Sequence, residues 1–164
     1  MAALHIRNAS SADGAALAAI YAPFVTETWV SFETEAPDGE EMARRIADYG
    51  ASHGWLVAEM DGSIAGYAYA SPHRVRAAYS TSADIAAYVA PGAQGRGVGK
   101  ALYTALFDQL RDRSIHAVFA GIALPNAGSI GLHEAMGMTP VGIYRQVGWK
   151  LGAWRDVGWW QRLL

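Results

Sequence analysis

Cysteine is absent from the 164-residue sequence, and this absence excludes disulfide bonds, thiolate metal sites and a cysteine acyl-enzyme mechanism. An excess of one charge is also absent, because 13 basic and 15 acidic residues give a formal net charge of -2. Such a balance provides no basic field for nucleic acid. The most apolar early run, residues 15–25, is too short to span a bilayer and follows no basic segment. We therefore expect no membrane anchor and no signal peptide, and a soluble cytoplasmic protein.

Hydrophobic residues are plentiful, at 52% of the chain. At this length they suffice for the core of one domain, which we expect to span residues 1–164. The sequence contains no internal repeat and no low-complexity linker. With neither nucleic acid nor a membrane indicated as a partner, the expected ligand is a small molecule.

The clearest local signal is a hairpin. Asp61-Gly62 separates two apolar runs, 55–60 and 63–70, and this dipeptide favours a two-residue turn. Residues 26–35 carry several glutamates and are predicted to form a loop that lines the ligand site. The order of the predicted strands and helices along the chain predicts a mixed α/β sandwich. The other predicted elements are strands at 4–7, 80–89, 116–123, 139–147 and 154–163, and helices after Ser10 or Ser11, over 37–53, over 98–113 and up to Gly137.

A glycine-rich loop joins the predicted strand 80–89 to the predicted helix 98–113. Its glycines at 95, 97 and 99 let backbone N–H groups approach an oxygen-rich ligand, and the helix start adds unpaired donors and a partial positive charge. The spacing fits neither a Walker loop nor a dinucleotide fingerprint, but it fits Gln-x-x-Gly-x-Gly beginning at Gln94. The loop is therefore either a pyrophosphate cradle or only a tight connection.

This loop and the order of elements resemble the GNAT N-acetyltransferases. Several strings between residues 66 and 161, such as Leu124-Pro-Asn126 and Leu132-His-Glu-Ala-Met-Gly137, are similar to the phosphinothricin and methionine sulfoximine N-acetyltransferase branch. The N-terminal third matches mainly in its order of elements. The resemblance implies a mostly antiparallel sheet flanked by helices and splayed at the acyl-CoA site. It also implies acetyl-CoA as cosubstrate, no metal, and a homodimer with the acceptor pocket near the subunit interface.

The resemblance implies contacts to acetyl-CoA along the strand and the loop. In this family the pantetheine arm pairs like an added strand with the strand before the loop, and main-chain recognition of that kind leaves little side-chain signature. Backbone amides of the loop hold the pyrophosphate. The implied cofactor contacts are Ala87, Tyr88, Val89, Gln94, Gly95, Arg96, Gly97, Val98, Gly99, Asn126 and Ser129.

Two residues are candidates for proton transfer. Asp84 is a carboxylate in the middle of a predicted strand, which points either to proton transfer in a cleft or to a solvated edge. The resemblance implies the general base at this position, usually a longer Glu, so Asp84 is expected to act directly or through a water. His133 lies seven residues after Asn126, where the resemblance implies a residue that protonates the CoA thiolate or relays a proton. The alternative is a helix histidine packed on the core.

Arg74 and Arg76 precede the strand that carries Asp84, and a guanidinium can bind a carboxylate or phosphinate in a bidentate manner. The alternative is a pair of solvated surface arginines. Phe32, Glu35 and Tyr79 complete the expected substrate contacts. The predicted function is acetyl transfer from acetyl-CoA to the primary amine of a small amino-acid-like acid, by direct attack in a ternary complex. Acetylation of a protein N-terminus or an antibiotic amine, or a non-catalytic acyl-CoA-binding module, are the alternatives.

Overall fold

A seven-stranded sheet organises the chain in the computed structural model, which describes residues 3–164. The strand order is β1-β2-β3-β4-β5-β7-β6, and β4 and β5 are the parallel neighbours in an otherwise antiparallel arrangement. The predicted mixed, mostly antiparallel α/β fold is therefore confirmed. The strands are β1 Leu4–Asn8, β2 Trp55–Met60, β3 Ser63–Pro72, β4 Ser82–Val89, β5 Ala117–Ala123, β6 Thr139–Lys150 and β7 Ala153–Leu163; the helices are α1 Gly14–Thr26, α2 Gly39–Ser52, α3 Val98–Asp112 and α4 Ala127–Ala135.

The β2–β3 hairpin forms at the predicted turn, where Asp61 has a φ of 53° and Gly62 a φ of 79°. Two successive positive φ angles match the right-handed twist of the flanking strands. Elsewhere the boundaries move by a few residues. β4 begins at Ser82 because residues 77–79 form a turn of 3-10 helix, and β6 extends to Lys150, beyond its predicted end.

Both faces of the central sheet are covered. Successive side chains of a strand point to opposite faces, so Leu56 and Ala58 of β2 pack in the cluster that includes α3, whereas Trp55 and Val57 pack with α1 and α2. All four are at most 2% exposed. The sheet at β2 is therefore packed by apolar side chains on both faces.

Two of the helices, α2 and α4, begin at a side-chain cap. α2 begins after Asp38, whose side chain accepts a hydrogen bond from the Glu41 backbone N–H at 2.9 Å, and α4 begins after Asn126, which caps in the same way. In residues 3–164, none of the helices is long and apolar enough to cross a membrane.

Candidate active site

A cleft opens where β4 and β5 separate. The two strands pair over only three positions, of which Asp84 opposite Phe119 is the last. Beyond it, residues 85–88 line one wall and residues 121–123 the other, and α4 closes the cleft. The outer edge of residues 85–89 pairs with β3, whereas within the described chain no strand pairs with their inner edge. That inner edge can therefore pair with an extended ligand as an added strand.

The glycine-rich loop has the geometry of an anion site. Gly95 has a φ of 74° and Gly97, which caps α3, a φ of 81°. A Cβ atom added at either position would meet no atom within 4 Å, so open space lies beside both. The Ala101 backbone N–H donates to the Gly97 carbonyl at 3.0 Å, so the N–H groups of the three residues before Ala101 have no intrahelical acceptor. Free donors, open space and the helix dipole together suit a phosphate group.

The other predicted loop residues have mixed surroundings. Gly99 is buried, and a Cβ atom there would lie 2.9 Å from Cδ2 of Leu132, so this glycine permits close packing of α3 on α4. Gln94 is exposed, and its side-chain amide donates to the Val89 carbonyl at 3.3 Å. Arg96 is fully on the surface of the loop. The Gln94 side chain therefore stabilises the loop itself, by joining it to the end of β4.

Asn126 and Ser129 lie together at the cleft wall. The Asn126 Oδ1 atom accepts a hydrogen bond from the Ser129 backbone N–H at 3.1 Å, which fixes the start of α4. The Ser129 carbonyl in turn accepts from His133 Nδ1 at 2.7 Å. All three side chains line the cleft, so Asn126 and His133 lie at the same surface of it.

His133 is both a core residue and a cleft residue, at 6% exposure. Because a carbonyl can only accept, Nδ1 carries the proton, and Nε2 then accepts from the Tyr103 hydroxyl at 2.9 Å. Burial lowers the pKa of His133 and raises the pKa of Tyr103, so both are neutral at neutral pH. Tyr103 was not singled out in the sequence, because its position fits the apolar stripe of α3.

Asp84 has a partner that the sequence did not reveal. His73 Nδ1 lies 2.5 Å from Asp84 Oδ1, and the two side chains are 14% and 29% exposed. Burial raises the pKa of Asp84 above its usual value, and the hydrogen bond from His73 and the nearby His73 and Arg74 side chains offset only part of this rise. The pairing follows from strand register: Ser71 stands opposite Asp84 on the β3–β4 ladder, so the residues that follow β3 lie beside the carboxylate.

The predicted acceptor residues are divided between two places. Arg74 and Tyr79 lie near Asp84: the Arg74 charge acts on its pKa, and the Tyr79 ring lies 5.9 Å from the His73 ring. Arg76 is exposed on the same connection. Phe32 instead packs on β6, where a Cβ atom at Gly148 would come within 2.3 Å of its ring. Glu35 is exposed on the 27–38 loop, and the structure shows no contact that joins it to the arginines.

A partly buried polar cluster anchors the 27–38 loop. Arg45 of α2 donates two hydrogen bonds to Glu33, at 2.7 and 3.0 Å, and the Tyr21 hydroxyl of α1 also donates to this carboxylate. Lys150 of β6, 6% exposed, donates to the carbonyls of Ser31 and Glu33. The loop is therefore tied to two helices and a strand, which fixes the position of the candidate acceptor surface.

Comparison with known proteins agrees with this geometry. The sequence profile described as the acetyltransferase (GNAT) family matches residues 23–138. The chain belongs to the GNAT family. This GNAT chain is 39% identical over 159 residues to a phosphinothricin N-acetyltransferase from Streptomyces viridochromogenes, with 97% of the chain and 87% of that relative aligned. It is 34% identical over 161 residues to an L-methionine sulfoximine/L-methionine sulfone acetyltransferase from Salmonella typhimurium, with 95% and 92% aligned.

Solved GNAT structures share the fold. A GNAT superfamily phosphinothricin acetyltransferase from Sinorhizobium meliloti, crystallised in complex with AcCoA, superposes with a TM-score of 0.93 at 32% identity. The superposition covers 98% of this chain and 88% of that one. The predicted GNAT membership, fold and acetyltransferase class are confirmed.

Proposed function

We propose that this GNAT protein transfers the acetyl group of acetyl-CoA to the primary amine of a small amino-acid-like acid of the phosphinothricin or methionine sulfoximine type. The attack is direct, in a ternary complex, within a single domain that works in the cytoplasm. The observation that carries the proposal is the cleft between residues 85–88 and 121–123, which begins just beyond the last β4–β5 pair at Asp84. The glycine loop, with open space beside Gly95 and Gly97, follows β4 directly in the chain. The names of the relatives support this acceptor class.

Different parts of the candidate site suit the pyrophosphate and the pantetheine arm of acetyl-CoA. The N–H groups at the start of α3 and the space beside Gly95 and Gly97 suit the pyrophosphate. The inner edge of β4 at residues 87–89 pairs with the pantetheine arm, and Asn126 and Ser129 lie at the start of α4, where that helix closes the cleft. Acetyl-CoA supplies the activated thioester, and the chain holds it still so that attack becomes effectively unimolecular.

The reaction needs two proton transfers, one from the attacking amine and one to the departing thiolate. A free α-amine has a pKa of about 8 and is mostly protonated at neutral pH, so a base near Asp84 has to release the nucleophile. On the opposite wall, His133 and the hydroxyl of Tyr103 form a hydrogen-bonded pair that can pass a proton to the departing thiolate. Asp84 and His133 therefore serve the two ends of the reaction.

The acceptor acid is bound by Arg74 and Arg76, with Tyr79, Phe32 and Glu35 as further contacts. Phosphinothricin or methionine sulfoximine should be acetylated, and their amides poorly. Loss of a charge-assisted bidentate contact costs about 2 to 3 kcal/mol, or roughly thirty- to a hundredfold in kcat/KM. Free-thiol release with matched acids and amides measures this ratio.

The arginine variants test the same contact from the protein side. Arg74→Ala or Arg76→Ala should reproduce the loss for the acids and add little for the amides. The control is Arg111→Ala, which removes an exposed arginine paired with Asp108 on α3. Equal turnover of acid and amide by the unmodified protein would leave a general small-amine acetyltransferase. Binding of acetyl-CoA without thiol release from any amine would indicate a non-catalytic module.

A homodimer is part of the proposal. The β6–β7 hairpin carries large apolar side chains on its surface, including Trp149 and Trp154, each 59% exposed and in edge-to-face contact. Val141, Ile143, Tyr144 and Val147 are further exposed apolar residues of β6. Exposed apolar side chains in this number on one hairpin are typical of a protein interface.

Light scattering should show a dimer at working concentration. Trp149→Lys together with Trp154→Lys should shift the protein towards monomer, because each places a charge in the middle of the apolar surface. Both side chains are already more than half exposed, so the monomer fold should be preserved in circular dichroism. A monomer for the unmodified protein would contradict the interface.

A further inference from the structure

His73 and Asp84 form a hydrogen-bonded pair at the position where the cleft begins. We propose that Nε2 of His73 is the atom that takes the proton from the acceptor amine, and that Asp84 is a positioning residue that fixes the imidazole. This inference rests on the proposed function. It assigns the proton acceptor to a side chain on the connection after β3 and not to the carboxylate itself.

The hydrogen bond fixes which nitrogen of His73 is basic. An ionised carboxylate can only accept, so the proton of the 2.5 Å contact belongs to Nδ1 of His73. In a neutral imidazole the other nitrogen, Nε2, then has a free lone pair. Among the described residues, Nδ1 is the His73 ring atom with a hydrogen-bond partner, so Nε2 is available to a substrate.

Packing fixes the plane of the ring. His73 stacks on Phe119 of β5 with centroids 4.3 Å apart and an angle of 18° between the planes. Trp159 of β7 and Tyr79 approach edge-on, at 6.3 and 5.9 Å. A ring that is held on three sides and hydrogen-bonded at one nitrogen presents Nε2 in one direction, as a general base requires.

The reach of the two groups favours the imidazole as the base. The Asp84 side chain is short, and its Oδ1 atom is already occupied by His73. Arg74 follows His73 directly in the chain, and Arg74 Nη1 donates to the His73 carbonyl at 2.9 Å. An acid group bound by the arginine would therefore place its amine near the imidazole.

The acceptor ammonium loses two protons in the reaction, one to His73 Nε2 and one to the CoA thiolate. The acceptor ammonium gives one proton to His73 Nε2 and becomes a nucleophile. Its nitrogen then forms a bond to the thioester carbonyl carbon, the carbon–sulfur bond breaks, and the second amine proton goes to the thiolate. His73 returns its proton to solvent, so the products are the amide, the free thiol and one proton.

The charged surroundings of His73 are few. Asp84 of β4 is the acidic group in contact, and Arg74, Arg76 and Tyr79 are the charged or titratable groups that share the 73–81 connection with His73. Phe119 and Trp159, from β5 and β7, carry no charge. The acidic limb of kcat/KM against pH should therefore report protonation of the His73–Asp84 pair.

Kinetics of two His73 variants test the assignment. His73→Ala should lower kcat at least about a hundredfold, lose the acidic limb, and regain activity as free imidazole is added. His73→Gln keeps a donor for Asp84 but has no titratable atom, so it should remain as slow without imidazole. The control is His116→Ala, an exposed histidine at the entry to β5, which should behave like the unmodified protein. A purely structural role would give no dependence on imidazole concentration.

Nitrogen NMR of the free protein gives a readout that is independent of turnover. The sequence has 5 histidines, and the His73 signals are those lost in His73→Ala. They should show the tautomer protonated at Nδ1, and Asp84→Asn should disturb it. Normal kinetics of His73→Ala, or an Nε2-protonated His73, would overturn the inference while leaving the acetyltransferase intact. Absence of thiol release by the unmodified protein would instead refute the proposed function.

Discussion

Valine in place of Gly97 should abolish binding of acetyl-CoA while leaving a folded protein. Gly97 has a φ of 81°, a conformation that costs a side chain with a Cβ about 1 to 2 kcal/mol. The space beside it is open, so an added Cβ atom meets no protein atom, and the branched side chain would occupy volume that the phosphates need. Calorimetric titration with acetyl-CoA measures the loss, and circular dichroism measures the fold.

Gly92 supplies a matched control in the same loop. A Cβ atom at Gly92 also meets no atom within 4 Å, but this residue is not among the glycines with positive φ. Gly92→Val should therefore bind acetyl-CoA normally. Gly99→Val should behave differently from both, because its side chain would collide with Leu132 and separate α3 from α4. Undiminished affinity of Gly97→Val would contradict the assignment of the loop.

Asparagine in place of Asp84 should lower turnover about a hundredfold or more, with little change in affinity for acetyl-CoA. The two side chains are nearly isosteric, but an amide accepts no proton and can donate to His73 Nδ1. The imidazole then carries its proton on Nε2, which is the wrong atom for a base. Asp84 is not among the residues that line the cofactor cleft, so acetyl-CoA binding should persist.

His133 tests the other end of the reaction. His133→Phe should also lower turnover, but it leaves the buried Tyr103 hydroxyl without its acceptor at a cost of about 1 to 3 kcal/mol. His133→Gln retains a donor and an acceptor and separates the loss of chemistry from the loss of stability. Full activity of the Asp84 and His133 variants across neutral and mildly acidic pH would show that neither residue takes part in proton transfer.

Most of the fold could be predicted from short patterns in the sequence. The Asp61-Gly62 turn could be predicted because the conformation of a two-residue hairpin depends on those two residues alone. The loop from Gln94 to Gly99 was recognisable because its glycine spacing lies within a few positions of the chain. β4 begins two residues after its predicted start, since the 3-10 turn at 77–79 has no distinctive sequence.

The contacts that position the candidate site could not be predicted because they are non-local. His73 and Asp84 meet only because β3 and β4 pair in one register, and a shift of one residue would send the carboxylate to the other face. Tyr103 joins His133 across two helices, 30 positions apart. Lys150 lies more than a hundred positions from the loop it anchors. His73 could have been noticed in the sequence, because it directly follows Pro72, the last residue of β3.

The separation of β4 and β5 beyond Asp84 gives the sheet an internal edge. Most sheets expose unpaired backbone groups at their two outer strands, where they risk pairing with other chains. Here a similar row of unpaired backbone groups lies in the middle of the sheet, and acetyl-CoA is the ligand proposed to pair with it. A ligand at a hundred times its Kd stabilises the folded state by about 2.7 kcal/mol. Acetyl-CoA would thus stabilise the folded protein as well as supply the acetyl group.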